Sequence, residues 1–346
     1  MRKRFIYVIF YSEGGVMIDC LSSPGWINPQ IDFLLFLQNL RIGHFEAFDK
    51  FFLSVTIFGE YWLPTLICAI VYWCIDFKAG MYLFSLEGIN VLISHLLKMI
   101  ACVYRPWVLS DKIHPSELAV PFAKGYSCPS GHSAMSSSVL GGVAFLQRKR
   151  IPVCLLFISL ILLVGFSRMW LGVHTPQDVL SGFAIGLILV FAIDRIINWA
   201  EKNVNRYLYL AGIINILSVL ALIYISYFSS YRMDYVDGQL LVDPKKSIYL
   251  TFAVYSYVLG LINGCFLCRR FFPFEPKQSS VKSRIVRGII GSIITVMMLK
   301  YIVNHVILVG VDISIAVTSM LFAGLLVTLI YPVIFTKTEK FIAPKS

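Results

Sequence analysis

Three short segments near the middle of the chain combine cationic, imidazole, hydroxyl and carboxylate side chains. Residues 98–106 read KMIACVYRP, residues 126–132 read YSCPSGH, and residues 167–178 read SRMWLGVHTPQD. The sequence on either side of these segments is strongly apolar. Ionisable side chains are expensive to bury in a bilayer, so their concentration in one stretch marks a candidate functional site.

The first segment supplies two cations. Arg105 follows Lys98 by seven residues, which is two turns of a helix, so both cations are expected to point to the same place before Pro106 ends the helix. The alternative is that Lys98 and Arg105 are ordinary basic side chains that extend to the membrane edge. Taken alone, this segment favours that alternative. One helix face upstream is polar and is formed by Glu87, Asn90, Ser94 and Lys98.

The second segment places Ser130, Gly131 and His132 immediately before an apolar run that is typical of a helix. The first turn of a helix offers unpaired backbone N–H groups and the positive end of the dipole, which suits a phosphate. An ordinary serine N-cap explains the same residues. Both interpretations stay open for this segment alone.

The third segment is the most specific. Arg168 lies near the end of an apolar span, and His174 precedes Thr175 and Pro176, which predict the start of the next helix. Asp178 follows His174 by four residues, so its carboxylate can accept a hydrogen bond from one imidazole nitrogen and leave the other free as a nucleophile. The alternative is a capping box made by Asp178, and one carboxylate has few ideal directions to serve both roles.

Together these groups have the chemistry of phosphoryl transfer. Lys98, Arg105 and Arg168 are donors for an oxyanion, while His132 and His174 provide an acid and a nucleophile. No metal is predicted, because the pattern lacks the oxygen cluster that magnesium prefers. No other cofactor is predicted.

The composition indicates an integral membrane protein. Of the 346 residues, 58% are hydrophobic and only 14% are charged, with a mean hydropathy of +0.77; soluble domains have about 25% charged residues. The formal net charge of +11 comes from short basic clusters between apolar runs. These clusters indicate membrane topology rather than binding to nucleic acid, so the bilayer is the expected partner.

The apolar runs predict an all-α, polytopic bundle. Residues 1–58 are expected to form an amphipathic, interfacial segment, with helices over 31–41, starting after Pro29, and over 45–59. The catalytic core is expected in 59–200, and additional membrane helices in 201–346. About nine spans are predicted, near 60–77, 80–101, 132–147, 152–170, 176–198, 206–229, 248–268, 287–309 and 313–335.

Alternation of these spans predicts the topology. The basic connections at 148–150, 195–206 and 269–287 and the basic tail then share one side, which the positive-inside rule makes cytoplasmic. The three segments fall on the other, non-cytoplasmic face. The amino terminus would also lie outside, which the basic residues 2–4 disfavour. Met17 is an alternative initiator, and nothing in the sequence indicates an oligomeric state.

The segments K-x(6)-R-P, P-S-G-H and S-R-x(5)-H-x(3)-D, in this order, resemble the signature of the phosphatidic acid phosphatase type 2/vanadium haloperoxidase superfamily, and no signature position is substituted. The resemblance implies a six-helix phosphatase core. It also implies that His174 attacks phosphorus to form a phosphohistidine, that Asp178 orients it, and that His132 protonates the leaving group and then activates water. The phosphate would be held by Lys98, Arg105, Arg168, Ser130 and the Gly131 amide.

The resemblance leaves the substrate open. The sequence of the third segment looks more like that of the bacterial lipid phosphatases. The expected substrate is therefore a lipid phosphate or diphosphate of the undecaprenyl diphosphate, phosphatidylglycerol phosphate or phosphatidic acid type. The expected location is a bacterial plasma membrane. A glucose-6-phosphatase-like sugar phosphatase and a lipid phosphotransferase are alternatives within the family. A transporter or scaffold with a degenerate site is the alternative from another class, but no internal repeat supports it, and His174 and Arg168 are both intact.

Overall fold

The computed structural model describes residues 24–42, 47–123, 125–229, 231, 233–236, 239–302 and 311–342. The expectations for residues 2–4 and Met17 lie outside these residues. The described helices are α1 Pro24–Leu40, α2 Phe48–Val55, α3 Trp62–Ile70, α4 Phe77–Ala101, α5 Pro106–Leu109, α6 Gly131–Leu146, α7 Ile151–Trp170, α8 Pro176–Glu201, α9 Arg206–Ile223, α10 Pro244–Phe271, α11 Val281–Ile302, α12 Ile313–Leu325 and α13 Tyr331–Ile342.

The predicted all-α membrane architecture is confirmed. In the described part of the chain, the only strands are Tyr235–Val236 and Gln239–Leu240, which pair antiparallel between α9 and α10. Helix α1 contains Pro29 and begins at Pro24, so the predicted start after Pro29 is wrong. Pro29 lies beyond the first turn, as the sixth residue of α1.

The count of nine spans is not confirmed. Among the described residues, seven helices are long and apolar enough to cross a membrane, or up to eight if one bent pair is a single span. The predicted span near 132–147 is the 16-residue helix α6, which is shorter than the roughly 20 residues that a bilayer requires. The bent pair joins Phe48–Gly59 to Trp62–Ile75 at 47°.

The predicted basic connections meet at one end of the bundle. There Arg269 pairs with Glu201 at 2.6 Å, Lys277 pairs with Asp76 at 3.1 Å, and Arg287 pairs with Glu339 at 2.9 Å. At the opposite end, α4 and α7 finish and α6 and α8 begin. The three polar segments all belong to that second end, as the alternation predicts.

Small residues bring α6 close to α8. A Cβ built on Gly186 of α8 would lie 2.0 Å from Ser137 Oγ, and one on Gly182 would lie 2.7 Å from the carbonyl oxygen of Ser130. Inside α6, the hydroxyl of Ser137 donates to the carbonyl of Ala134 at 3.1 Å, so it brings no unpaired donor into the interface. Small residues are the usual means by which membrane helices approach closely. The packing of α6 on α8 holds the second and third segments together.

Gly186→Val is expected to destabilise the protein by about 1–3 kcal/mol, because the added side chain must push α6 away from α8. Gly212→Val in α9 is the matched control, since a Cβ there meets no atom within 4 Å. Both variants place the same β-branched residue in a helix, so the propensity cost is shared. Thermal unfolding in detergent measures the difference, and equal melting temperatures for the two variants would contradict the packing account.

The C-terminal helices are built into the bundle rather than appended to it. Helix α10 packs on α4, where Tyr255 donates its hydroxyl to the carbonyl of Leu92 at 2.6 Å. A Cβ on Gly88 of α4 would lie 2.7 Å from Ile262 of α10. On its other side α10 packs on α12, where a Cβ on Gly260 would lie 2.3 Å from the carbonyl of Leu321. Helix α10 therefore supports the helix that carries Lys98.

Candidate active site

His174 lies at the centre of the residues predicted from the three segments. It is buried in the connection between α7 and α8. Burial is the main cause that holds the pKa of His174 well below its usual value of 6.5, and the charges of Arg105, Lys98 and Arg168 and the neighbouring His132 lower it further. Five of the predicted side chains are thus brought within electrostatic range of one another.

The route of the chain to Arg105 differs from the prediction. Helix α4 ends at Ala101, and Cys102 adopts a left-handed conformation with φ 47°, so Arg105 does not lie two helical turns beyond Lys98 on one helix. Pro106 begins the short helix α5 instead of ending α4, because proline fits the first helical position, where no N–H is needed. The guanidinium of Arg105 still reaches the site and donates to the carbonyl of Val173 at 2.9 Å.

The contacts of His174 determine its tautomer. A terminal nitrogen of Arg105 lies 2.9 Å from Nε2 of His174. A guanidinium can only donate, so Nε2 accepts and the imidazole hydrogen is on Nδ1. That Nδ1 lies 3.2 Å from Oγ of Ser127 and 3.4 Å from Oδ2 of Asp178. The unprotonated nitrogen therefore faces a cation, and the protonated one faces a hydroxyl and a carboxylate.

Asp178 makes the capping box that was the alternative interpretation, and it also lies beside His174. Its Oδ2 accepts from the backbone N–H of Thr175 at 2.9 Å, while the hydroxyl of Thr175 accepts from the backbone N–H of Asp178 at 3.4 Å. The same oxygen is 3.4 Å from Nδ1 of His174. Oδ1 has no hydrogen-bond partner in the described part of the chain. The two roles do compete for one oxygen, and the capping bond is the shorter.

Ser127 fills the gap between Asp178 and His174, and the sequence analysis assigned it no role. Its hydroxyl donates to Oδ2 of Asp178 at 2.6 Å and is positioned to accept from Nδ1 of His174. The backbone N–H of Ser127 is fixed by the carbonyl of Val103 at 2.7 Å. The only sequence signal was its place two residues before Pro129 in the second segment, which by itself predicts no contact with the third.

The three cations have very different partners. Nζ of Lys98 donates to the carbonyls of Tyr126 at 3.1 Å and Ser127 at 3.2 Å. Arg168 is only 1% exposed, yet its buried Nε has no hydrogen-bond partner among the described residues. Buried polar groups are normally paired, so an unpaired guanidinium nitrogen is a feature that an anionic ligand would satisfy.

The start of α6 combines the two interpretations of the second segment. Oγ of Ser130 accepts from the backbone N–H of Ser133 at 3.4 Å and from its hydroxyl at 3.0 Å, so Ser130 is the N-cap. A Cβ built on Gly131 would meet no atom within 4 Å, which leaves open space beside the first turn. The backbone of His132 packs closely against Gly59, because a Cβ built on Gly59 would lie 2.6 Å from the carbonyl oxygen of His132.

The amino-terminal helices pack over this end of the bundle. Gln30 of α1 accepts from the backbone N–H of Gln177 at 2.9 Å. Asp49 of α2 accepts from the indole of Trp170 at 3.1 Å and pairs with Arg41 at 3.4 Å. The segment predicted to lie at the interface therefore braces the ends of α7 and α8 that carry the candidate site.

The arrangement presents positive charge and two imidazoles to one small region and is suited to a tetrahedral anion. Three cations lie near a neutral imidazole whose unprotonated nitrogen points into the same region. Among the residues that the structure describes, no group of three or more His, Cys, Asp or Glu side chains has the geometry to hold a metal ion.

Two family models match the chain. Residues 79–202 match the PAP2 superfamily, and residues 252–343 match the PAP2 superfamily phosphatase, transmembrane extension. The first match contains all three polar segments, and the second covers most of α10 to α13. Together they span more than half of the chain.

Curated relatives match about a third of the chain. Phosphatidylglycerophosphatase B of Bacillus subtilis is 29% identical over 126 residues, which are 33% of this chain and 61% of that protein. Undecaprenyl-diphosphatase of Sulfolobus acidocaldarius is 31% identical over 114 residues, 33% of this chain and 53% of that protein. Undecaprenyl-diphosphatase BcrC of Bacillus subtilis is 31% identical over 106 residues, 31% of this chain and 51% of that protein.

These matches cover between about half and three-fifths of the length of the relatives. No solved structure matches the chain at significant similarity. The two family models, the all-α membrane fold and the three polar segments at one end of the bundle agree on one assignment. The chain belongs to the PAP2 superfamily and joins a PAP2 domain to a PAP2 transmembrane extension.

Proposed function

We propose that the protein is an integral membrane phosphatase that hydrolyses a lipid phosphate or diphosphate through a phosphohistidine at His174. The observation that carries the proposal is the contact of Arg105 with Nε2 of His174 at 2.9 Å, because it requires Nε2 to be the unprotonated nitrogen. Nε of Arg168, which has no partner among the described residues, supports an anionic substrate. The names of the relatives support a lipid phosphate or diphosphate as that substrate.

In the first step, the phosphate binds to Lys98, Arg105 and Arg168. Arg105 then turns its N–H from Nε2 of His174 to a phosphate oxygen and frees the lone pair. Nε2 attacks phosphorus and forms the P–N bond, while the bond to the leaving oxygen breaks and that oxygen takes a proton from His132. The cations stabilise the charge on the equatorial oxygens. Asp178 stabilises the positive imidazole of His174, partly through Ser127.

In the second step, water replaces the lipid. His132, now neutral, takes a proton from water, the oxygen attacks phosphorus, and the P–N bond breaks to release phosphate and restore His174. Ser130 and the amide of Gly131 are proposed as further phosphate donors at the start of α6. We place the catalytic core in residues 59–200.

The membrane setting favours a lipid substrate over a sugar phosphate. The candidate site lies where four spanning or near-spanning helices end, so an acyl or prenyl tail can stay in the bilayer while the head group reaches the cations. We propose that the site lies on the non-cytoplasmic face, and the basic loops at the opposite end support this by the positive-inside rule. The relatives named above lead us to propose a bacterial type of plasma membrane enzyme.

The proposal is tested by phosphate release from detergent-purified protein. The panel contains phosphatidylglycerol phosphate, phosphatidic acid, undecaprenyl diphosphate and glucose 6-phosphate. We expect release from at least one lipid and none from the sugar. Release from glucose 6-phosphate alone would replace the lipid assignment, and transfer of the labelled phosphate to an acceptor other than water would indicate a phosphotransferase.

Vanadate is expected to inhibit this activity at submillimolar concentration. Vanadate takes five ligands in a trigonal bipyramid, and analogues of a transition state bind roughly 10²–10⁸-fold more tightly than substrates. Inhibition curves against the best lipid substrate measure the effect, with sulfate as the tetrahedral control anion. Equal inhibition by sulfate and vanadate would contradict a five-coordinate phosphorus at this site.

Ser127→Ala is expected to lower kcat by about 10–100-fold with little change in KM, because Asp178 is then left with a long, weak contact to His174. Ser127→Thr keeps the hydroxyl and is expected to recover most of the activity. A positioning role predicts that the recovery appears in kcat, at similar melting temperatures. Equal losses of kcat in both variants would show that the hydroxyl of residue 127 does not determine kcat.

A further inference from the structure

A groove lies on the membrane-facing side of the bundle, at the end opposite the candidate active site. It has a volume of about 620 Å³ and runs along α11 from Val281 to Ile293. Its other side is formed by Ile70 of α3 and by Cys74 in the π-helix Val71–Ile75 that continues α3. Twelve residues of helix rise about 18 Å, which is close to half the roughly 30 Å hydrocarbon thickness of a bilayer. The groove therefore has the depth of one leaflet.

The surface of the groove is apolar along its length. Ile285 and Ile289 are exposed on α11, and Gly288 between them lets α3 approach, since a Cβ there would lie 3.1 Å from Sγ of Cys74. The same Sγ donates to the carbonyl of Arg284 at 3.2 Å and fixes the first turns of α11 against the π-helix Val71–Ile75. An apolar, membrane-facing groove of this length fits a single acyl chain.

Arg284 is the cation that lines the groove. Nε of Arg284 is buried and has no hydrogen-bond partner among the described residues. Nε of Arg287, less than one turn further along α11, also has no partner among the described residues, but the terminal nitrogens of Arg287 donate to the carbonyl of Trp73 at 3.1 Å and to Glu339 at 2.9 Å. Glu339 also accepts from Ser279, so the nearby carboxylate is already engaged.

We propose that this groove binds one anionic glycerophospholipid of the leaflet at the basic end of the bundle, with an acyl chain in the groove and the phosphate on Arg284. Charge complementarity decides the class of lipid. Arg284 is the one cation among the residues that line the groove, whereas Lys282, on the same turn of α11, does not line it. Phosphate pairs well with a planar guanidinium, and anionic lipids are attracted to such basic segments.

The site serves as an anchor point for α11, one of the helices of the transmembrane extension. It is separate from the proposed catalytic site, and it does not depend on the proposed reaction. Phosphatidylserine is the probe, because it is an anionic diester without a terminal phosphate that the proposed phosphatase would remove. Phosphatidylcholine, with the same glycerophosphate backbone but no net charge, is the control lipid.

The experiment is native mass spectrometry of the delipidated full-length protein titrated with each lipid. The wild-type protein is expected to retain one phosphatidylserine. Arg284→Gln is expected to weaken its binding by about tenfold, the change for loss of a charge-assisted hydrogen bond. Gly288→Leu places a side chain in the groove and is expected to weaken it to a similar extent. Lys282→Gln, at an exposed position on the same turn, is the matched control and is expected to leave binding within about twofold.

Phosphate release from the best lipid substrate serves as the folding check, because neither Arg284 nor Gly288 belongs to the proposed catalytic site. The proposal is overturned if phosphatidylcholine binds as well as phosphatidylserine. It is also overturned if Lys282→Gln weakens binding as much as Arg284→Gln, because binding would then depend on the general positive charge of the segment and not on Arg284. A third contradicting result is that Gly288→Leu has no effect, because an acyl chain would then not occupy the groove.

Discussion

His174→Gln is expected to abolish phosphate release, with a loss of at least about 10⁴-fold in kcat, the order of magnitude seen when a catalytic nucleophile is removed. Glutamine keeps a hydrogen-bond acceptor that can face Arg105, whose contact with Nε2 of His174 is 2.9 Å long. The variant therefore preserves the main contact of the resting site but offers no nitrogen that can form a stable bond to phosphorus. The measurement is turnover of the best lipid substrate in detergent.

Two comparisons separate chemistry from folding in this test. His114→Ala removes an exposed imidazole in the loop at the same end of the bundle and is expected to retain near-normal turnover. Wild-type protein quenched during turnover with labelled substrate is expected to carry acid-labile phosphate, and the His174→Gln variant is expected to carry none. Residual turnover above about 1% in a folded His174→Gln protein would contradict the assignment of the nucleophile.

Arg168→Gln is expected to separate activity from stability. A missing donor to the charge of the transition state costs about 10²–10³-fold in kcat. The guanidinium of Arg168 is 1% exposed, and its Nε has no partner among the described residues. Burying an incompletely paired charge is unfavourable, so its removal is expected to leave the melting temperature unchanged or to raise it. Activity and thermal unfolding of the same preparation measure both effects.

Arg41→Gln is the matched control for this variant, because Arg41 is also a buried arginine near that end of the bundle. Its terminal nitrogens are paired, at 3.4 Å from Asp49 and in a hydrogen bond to the carbonyl of His114, whereas its Nε, like that of Arg168, has no partner among the described residues. Breaking one partner of a buried pair costs about 3–5 kcal/mol, so this variant is expected to lose stability. If Arg168→Gln lost stability and kept activity, Arg168 would be a structural residue and the phosphate site would need another cation.

The limits of the sequence are clear at Arg105 and Asp178. The residue types at both positions were evident, but the predicted path to Arg105 along one helix was wrong, since α4 ends at Ala101. For Asp178 two roles were open, and the structure shows both sharing Oδ2. A sequence pattern specifies spacing along the chain, whereas the partner of a carboxylate depends on which other segments fold against it.

Ser127 and α10 show what no pattern in the sequence could predict. Ser127 is 47 residues from His174 and 51 from Asp178, so the contact exists only because α6 and α8 pack closely at their small residues. Helix α10 has the apolar composition of an ordinary span, yet it lies against α4 and α12. Composition predicts that a helix enters the membrane, but which helix it packs against depends on matching surfaces.

By itself, the sequence determined the membrane character, the family resemblance, the helical fold and the residue types of the candidate site. These properties depend on composition, short-range spacing and local signals at helix ends, which are all encoded within a few residues of one another. Only the tertiary structure decided the tautomer of His174, the position of Ser127, the unpaired state of Nε in Arg168 and the number of helices long enough to span a membrane. Each of these depends on distances between segments that are remote in the chain, and packing alone sets those distances.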